Sequence, residues 1–223
     1  PFDAEDQHYA PLFANNASVA IERGIMTREL MLRMMKMAQM RDPAETGSHV
    51  QRVGAYAAEI YAQWARNRDV DRMERRRVKD LLRLAAMLHD VGKVGISDNI
   101  LKKPGRLDQD EFATMQWHTV YGAALFANVT SDLDELCRDI ALCHHQRYDG
   151  RGYPGHLPED LGEVERLDTD AAAGEAIPLA ARITALADVY DALCSKRTYK
   201  DPWPEERVLD LIRQERGGHF DPE

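Results

Sequence analysis

The sequence predicts an all-α fold. Strand-like alternation is scarce, apolar residues recur at helical spacing along nearly the whole chain, and the interruptions coincide with Pro and Gly clusters. The 223 residues suffice for one large domain, or a domain with a short appendage. Hydrophobic residues at 44% and charged residues at 30% are ordinary for a soluble globular chain. A net charge of −9 argues against a nucleic-acid-binding surface. It leaves a nucleotide substrate open, because a bound metal supplies positive charge locally. Cys137, Cys143 and Cys194 have no zinc-ligand spacing and read as reduced thiols of a cytoplasmic protein. No apolar run approaches a membrane span and no signal peptide is visible. A chain that begins at Pro1 reads as a fragment of something longer.

Taken in order, residues 1–14 read as irregular, and a helical pattern runs from about Asn15 to Met40 with a weak point at Gly24. Six of the nine methionines fall between Met26 and Met40. Met spaced among Leu on one helix reads as core or dimer-seam packing. Arg41-Asp42-Pro43 interrupts, and a second helix is expected from Glu45 to about Arg66. Residues 66–80 carry both signs densely and read as a solvated helix face with internal i,i+4 pairs. The apolar run Leu81 to Leu88 leads into His89-Asp90, and Gly92 and Gly95 end that helix. Lys102-Lys103-Pro104-Gly105 is a turn. Asp108 with Glu111 forms a capping-box pattern for a helix to about His118. Helices follow over about 119–128 and 132–145. Residues 155–176 form a long acidic loop. Pro178 suits the first turn of a helix to about Ser195. A last helix begins after Pro204 and ends at Gly217-Gly218.

Polar groups on apolar helix faces form a pattern. Glu45 and His49 are i,i+4 neighbours on one face. His89-Asp90 ends the most apolar helix, His118 ends the capped one, and His144-His145 closes another. Asp188 sits among Ala and Leu, where a lone carboxylate is expensive and needs a cation. Five histidines and three carboxylates suit a site for more than one ion with octahedral N/O ligation. Iron or manganese is favoured, with magnesium, nickel or zinc as alternatives. His8, His156 and His219 read as histidines satisfied by ordinary hydrogen bonds.

His89-Asp90-Val91-Gly92-Lys93, together with His144-His145 and Asp149-Gly150-Arg151-Gly152-Tyr153-Pro154, resembles the HD-GYP family, a branch of the HD phosphohydrolases. The likeness runs over roughly residues 40–223 and includes Ala187-Asp188-Val189-Tyr190-Asp191 and Gly218-His219-Phe220-Asp221-Pro222. It implies an HD-domain helical bundle over 41–223 and metal-dependent hydrolysis of cyclic di-GMP to pGpG or GMP by a metal-bridged hydroxide. His89, Asp90, His118, His144, His145 and Asp188 are the implied ligands, with Asp90 bridging two ions and catalytic alongside Lys93. Glu45 and His49 resemble the variant that supports a third ion. Lys93, Asp191, Arg197, Lys200 and Tyr153 are the implied substrate contacts. Residues 1–40 resemble a signalling helix that closes a GAF sensor domain, which implies an upstream sensor and homodimerisation through this helix. The Gly-Tyr-Pro loop is a candidate contact for a diguanylate cyclase. The acidic insert over 155–176 departs from the family pattern and reads as disordered or as a gate. Two other readings stay open: a non-catalytic module that senses cyclic dinucleotides or docks a cyclase, and a hydrolase of another cyclic dinucleotide, including mixed cyclic GMP–AMP.

Overall fold

The computed structural model describes residues 3–42, 47–155, 173–196 and 201–223. Among them the secondary structure is helical, apart from one isolated bridge between Arg216 and Phe220. The α-helices are α1 (Ala4–Arg41), α2 (Gly47–Asn67), α3 (Arg72–Ala86), α4 (Asp98–Leu101), α5 (Gln109–Gln116), α6 (His118–Ala124), α7 (Asp132–Cys143), α8 (Leu179–Cys194) and α9 (Glu205–Gln214). The chain divides into two compact units, Pro1–Met37 and Ala38–Glu223.

The first unit corrects two expectations. Residues 4–14 are helical, and Gly24 does not interrupt α1. Pro11 lies inside the helix but removes only one intrahelical bond near its start. A single helical glycine costs about 1 kcal/mol, too little to break a long helix. Packing in the core is also not the role of most of the methionines: Met26, Met34, Met37 and Met40 are 40–81% exposed, whereas Met35 is buried.

In the second unit, α2 packs on α3 and α8, α3 packs on α7, and α7 is flanked by α6 and α8. On α2, Val50, Val53, Ala57, Tyr61 and Ala65 recur every three or four residues and are all buried. Val120, Ala123, Leu142, Cys143, Ile177 and Ala181 form a cluster against Trp117. Cys143 is thus a core residue, as its apolar surroundings imply. Burial pushes the Cys137 and Cys143 thiols up to about 12.

Sequence-local signals set the ends. Asp108 and Glu111 form the expected capping box on α5. Asp71 caps α3 by accepting from the Met73 and Glu74 amides at 2.8 and 3.2 Å. The turn after α3 is a 3-10 segment, Val91–Gly95, laid against α6. Gly92 and Gly95 therefore lie inside this segment, and α3 itself ends earlier, at Ala86. A Cβ on Gly92 would overlap the His118 carbonyl oxygen and the Gly122 amide, both of them backbone. This contact sets His89-Asp90 at a fixed distance from His118. Gly92→Ala is therefore expected to destabilise by about 2 kcal/mol or more, since backbone on both sides cannot yield. Thermal melting would show this as a fall in Tm of roughly 4–8 °C.

Candidate metal centre

The site begins at the C-terminal end of α7. Ser131 caps the helix by accepting from the Asp134 amide, and Asp132, Asp134 and Glu135 fill its first turn, where the helix dipole favours acids. The other end delivers His144 as the C-cap, with His145 beside it. The His144 and His145 ring centroids lie 4.1 Å apart.

Three imidazoles are oriented in the same way. His89 Nδ1 meets the Ala86 carbonyl at 2.8 Å, His118 Nδ1 the Met115 carbonyl at 2.8 Å, and His144 Nδ1 the Ile140 carbonyl at 3.0 Å. A carbonyl oxygen only accepts, so each Nδ1 carries the proton and each neutral ring turns an Nε2 lone pair inward. These lone pairs converge on Asp90. Its Oδ1 lies 3.2 Å from His118 Nε2 and 3.6 Å from His144 Nε2, and its Oδ2 lies 3.2 Å from His89 Nε2. The Nε2 atoms of His118 and His144 and the Oδ1 of Asp90 are buried with no hydrogen-bond donor among the described residues.

Acceptors facing acceptors in a buried space call for a cation. Extra protons fit poorly there. Burial and the neighbouring His89 hold His144 below its ordinary value, although Asp90 draws it up. Burial and the neighbouring His144 hold His145 well below. Burial opposes the charge on Asp90, but Lys93, His89, His118 and His144 outweigh it and hold the carboxyl well below the usual range. Within Asp90, His118, His144 and His145 one potential ligand atom from each lies within 4.8 Å of the others. The donor set is nitrogen and oxygen with no thiolate, which fits a divalent transition ion.

A second group with the same spacing adjoins the first: His49, His89 and Asp188. His49 Nε2 lies 3.3 Å from Asp188 Oδ1, and its Nδ1 donates to Asp191 Oδ2 at 2.7 Å. Burial lowers the His49 pKa, but the hydrogen bonds to Asp188 and Asp191 outweigh it and raise the value. Burial works against charge on Asp188 as well, yet His49 and His89 draw it down. The two Asp90 oxygens thus face different histidine groups, as a bridging carboxylate does.

Asp191, an expected substrate contact, is 1% exposed and lies behind His49. Arg52 Nε donates to Asp191 Oδ1 at 2.6 Å and Arg52 Nη2 to Oδ2 at 2.9 Å, while Arg52 Nη2 also reaches Ser195 Oγ at 2.9 Å. His49 and Arg52 on α2 therefore face Asp188 and Asp191 on α8, each pair three residues apart. Asp188 does not pair with Arg182, whose guanidinium bonds Asp221 instead.

Lys93 Nζ lies 2.7 Å from Asp90 Oδ2 and 3.4 Å from Asp42 Oδ2. The preceding residue ties this segment to the same 3-10 turn: Arg41 donates to the Val94 carbonyl, to the Ile96 carbonyl at 3.0 Å and to Asp98 at 2.8 Å. Tyr153 stacks on His145 with centroids 4.6 Å apart. The Gly-Tyr-Pro loop is held by backbone bonds from Tyr148 to His219 and from Asp149 to Gly218, at 3.1 and 2.9 Å. Gly152 permits the close return, because a Cβ there would overlap the His145 carbonyl and the Arg147 amide.

Seven of the expected ligands, His49, His89, Asp90, His118, His144, His145 and Asp188, are thus brought together, with Lys93 and Tyr153 at their edge. Glu45, Arg197 and Lys200 lie outside the described residues, as do His156 and residues 157–172 of the acidic insert. Asp42 and Arg52 were not foreseen. The position of Arg52, three residues after His49 on the same helix, was a usable signal; nothing local marked Asp42. Removing the partner of a ligand's support commonly costs ten- to a hundredfold in metal affinity. Arg52→Ala is expected to weaken Mn²⁺ binding by about tenfold, read by calorimetric titration, with the helical circular dichroism retained.

Comparison with known proteins agrees with this geometry. The family model described as HD domain matches residues 46–193. A 3'3'-cGAMP-specific phosphodiesterase 2 of Vibrio cholerae is 36% identical over 207 residues, covering 93% of this chain and 35% of the relative. A probable cyclic di-GMP phosphodiesterase of the same organism is 40% identical, over 85% of this chain and 41% of the relative. A cyclic di-GMP phosphodiesterase of Thermotoga maritima is 36% identical, over 84% of this chain and 44% of the relative. The chain therefore spans less than half the length of these relatives. The match over most of the chain, across the span that carries His49 to Asp188, makes this protein a member of the HD domain family, on its HD-GYP branch.

Proposed function

We propose that this chain is a metal-dependent phosphodiesterase that opens cyclic di-GMP to pGpG, and onward to GMP. The observation that carries the reading is the convergence of buried acceptors on Asp90, which only a cation satisfies. His118, His144, His145 and Asp90 would hold one divalent ion, and His49, His89, Asp188 and Asp90 another. Glu45, four positions before His49 in the sequence, would together with His49 support a third. Iron or manganese suits the ligand set best. Bound ions would supply Lewis acidity, activating water at neutral pH and offsetting phosphate charge.

The chain's own groups do the rest. Lys93 stands at the edge of the ligand cluster, where its ammonium reaches a non-bridging oxygen of the scissile phosphate. Asp42 and Asp90 orient that ammonium from two sides. Tyr153, stacked on His145, walls the cleft and gives a guanine or ribose a flat face. Arg197 and Lys200 are assigned the distal half of the dinucleotide. Asp191 acts through His49 as a positioning residue. Residues 1–40 serve as the signalling helix from an upstream sensor, with homodimerisation along α1 and a cyclase partner at the Gly-Tyr-Pro loop. The setting is the bacterial cytoplasm. Among the described residues no helix is long and apolar enough to cross a membrane.

A second reading has a specific observation behind it: three relatives are named for 3'3'-cGAMP. Rates on cyclic di-GMP and on 3'3'-cGAMP, measured with the Mn²⁺-loaded protein, decide between them. Faster cyclic di-GMP turnover is expected, and a preference for the mixed dinucleotide would replace it as the substrate. Asp90→Asn should abolish turnover of either. Lys93→Met should lower kcat by about 10²–10³-fold while metal content stays unchanged. Tight dinucleotide binding without turnover in the loaded protein would instead indicate a sensing module.

A further inference from the structure

The charge-dense segment after α2 pairs internally only in part, through Arg77 and Glu74. Arg77 bonds Glu74 and Asp132, and Lys79 bonds Glu59 at 2.7 Å. Arg72, Arg75 and Arg76 form no ion pair among the described residues. With Lys79 they fall at i, i+3, i+4 and i+7, a single stripe along α3. The stripe lines an open groove of about 400 Å³, bordered also by Arg66 of α2 and Met73, with no carboxylate in its lining. Of the acids beside the arginines, Asp71 is occupied in capping the helix amides and Glu74 in pairing with Arg77.

Stability does not account for this arrangement. Like charges at i,i+4 repel, and cations at the first turns of a helix oppose its dipole. Arg72 opens α3, and Arg75 and Arg76 follow within its first five residues. The stripe is also the opposite sign to the chain, whose net charge is −9. Four guanidinium groups around a concavity, with the Lys79 ammonium beside them already shared with Glu59, match a compact polyanion. Guanidinium binds phosphate oxygens in pairs, with geometry that an ammonium lacks. A recessed groove of this size suits a small ligand better than a membrane plane, and the acidic remainder of the surface repels a long polynucleotide.

We infer that the α2–α3 groove is a binding site for a small molecule carrying two or three linked phosphates, of the nucleoside polyphosphate class. The site lies on residues distinct from the histidine cluster and does not depend on the phosphodiesterase reading. A ligand there would bind α2, the helix that carries His49 and Arg52.

The test is calorimetric titration of the metal-loaded protein with tripolyphosphate, with orthophosphate and vesicles containing 30% anionic lipid as comparison arms. One tripolyphosphate per chain is expected to bind in the groove, at least tenfold tighter than orthophosphate. The double variant Arg72→Gln/Arg76→Gln should weaken it at least tenfold. It should keep wild-type cyclic di-GMP turnover and melt no lower than wild type, since it relieves repulsion. Tripolyphosphate affinity unchanged in the double variant would overturn the assignment. So would equal affinity for tripolyphosphate and orthophosphate. Vesicle binding that requires Arg72 and Arg76 and is not displaced by tripolyphosphate would assign the stripe to a membrane surface instead.

Discussion

One nearly buried carboxylate organises the second unit. Asp90 lies within 3.6 Å of imidazole nitrogens from the turn after α3, the start of α6 and the end of α7. Each imidazole is turned inward by a carbonyl three or four residues before it. A buried polar atom without a partner costs about 1–3 kcal/mol, so such a cluster persists only where something compensates. A divalent ion does so, and its binding then becomes part of the folding free energy of this unit. The helices accordingly meet end-on at the site, because helix ends can present side chains from several directions without burying unpaired backbone.

Support for the site is layered. Behind His49 stands Asp191, and behind Asp191 stands Arg52, whose guanidinium is partly exposed. The charge of the innermost group is thus relayed outward to a residue that water can solvate. Lys93 has an analogous arrangement on the opposite side, with Asp42 buried behind it and Arg41 fastening the neighbouring turn. Asp42 lies just before α2 and Arg52 within it, so this stretch of chain supplies His49 together with both outer braces. The Gly-Tyr-Pro loop plays a different part. Its residues bond one another and the segment at 218–219, and only Tyr153 reaches the histidines.

Positive charge is distributed with the same economy. Most arginines of the second unit are committed: Arg52 to Asp191, Arg77 to Glu74 and Asp132, Arg147 to Asp149 and Glu215, and Arg182 to Asp221. Against that background the α3 stripe stands apart. Its residues are helix formers at exposed positions, so the fold tolerates them, but nothing in the fold asks for that sign there.

Much was legible in the sequence because it is written locally. Helical periodicity, the capping box at Asp108 and Glu111, and the start of α8 next to Pro178 depend on neighbours within one or two turns. The ligand types were legible too: paired His-Asp and His-His and a carboxylate among alanines have few explanations other than a cation. What only the tertiary structure decided is who faces whom. Asp191 looked like a substrate contact by its place in the motif, yet the packing of α8 on α2 sets it against a residue 142 positions earlier. Asp42 had no local mark, since its partner Lys93 comes from a turn that periodicity cannot place. Residues 4–14 were misjudged because a lone proline near a helix start costs less than its reputation suggests. Residue chemistry and short-range spacing thus determined the kind of site. The crossing of α2 with α8, and the Gly92 contact with α6, determined its geometry, because long-range contacts follow from shape complementarity that no local pattern encodes.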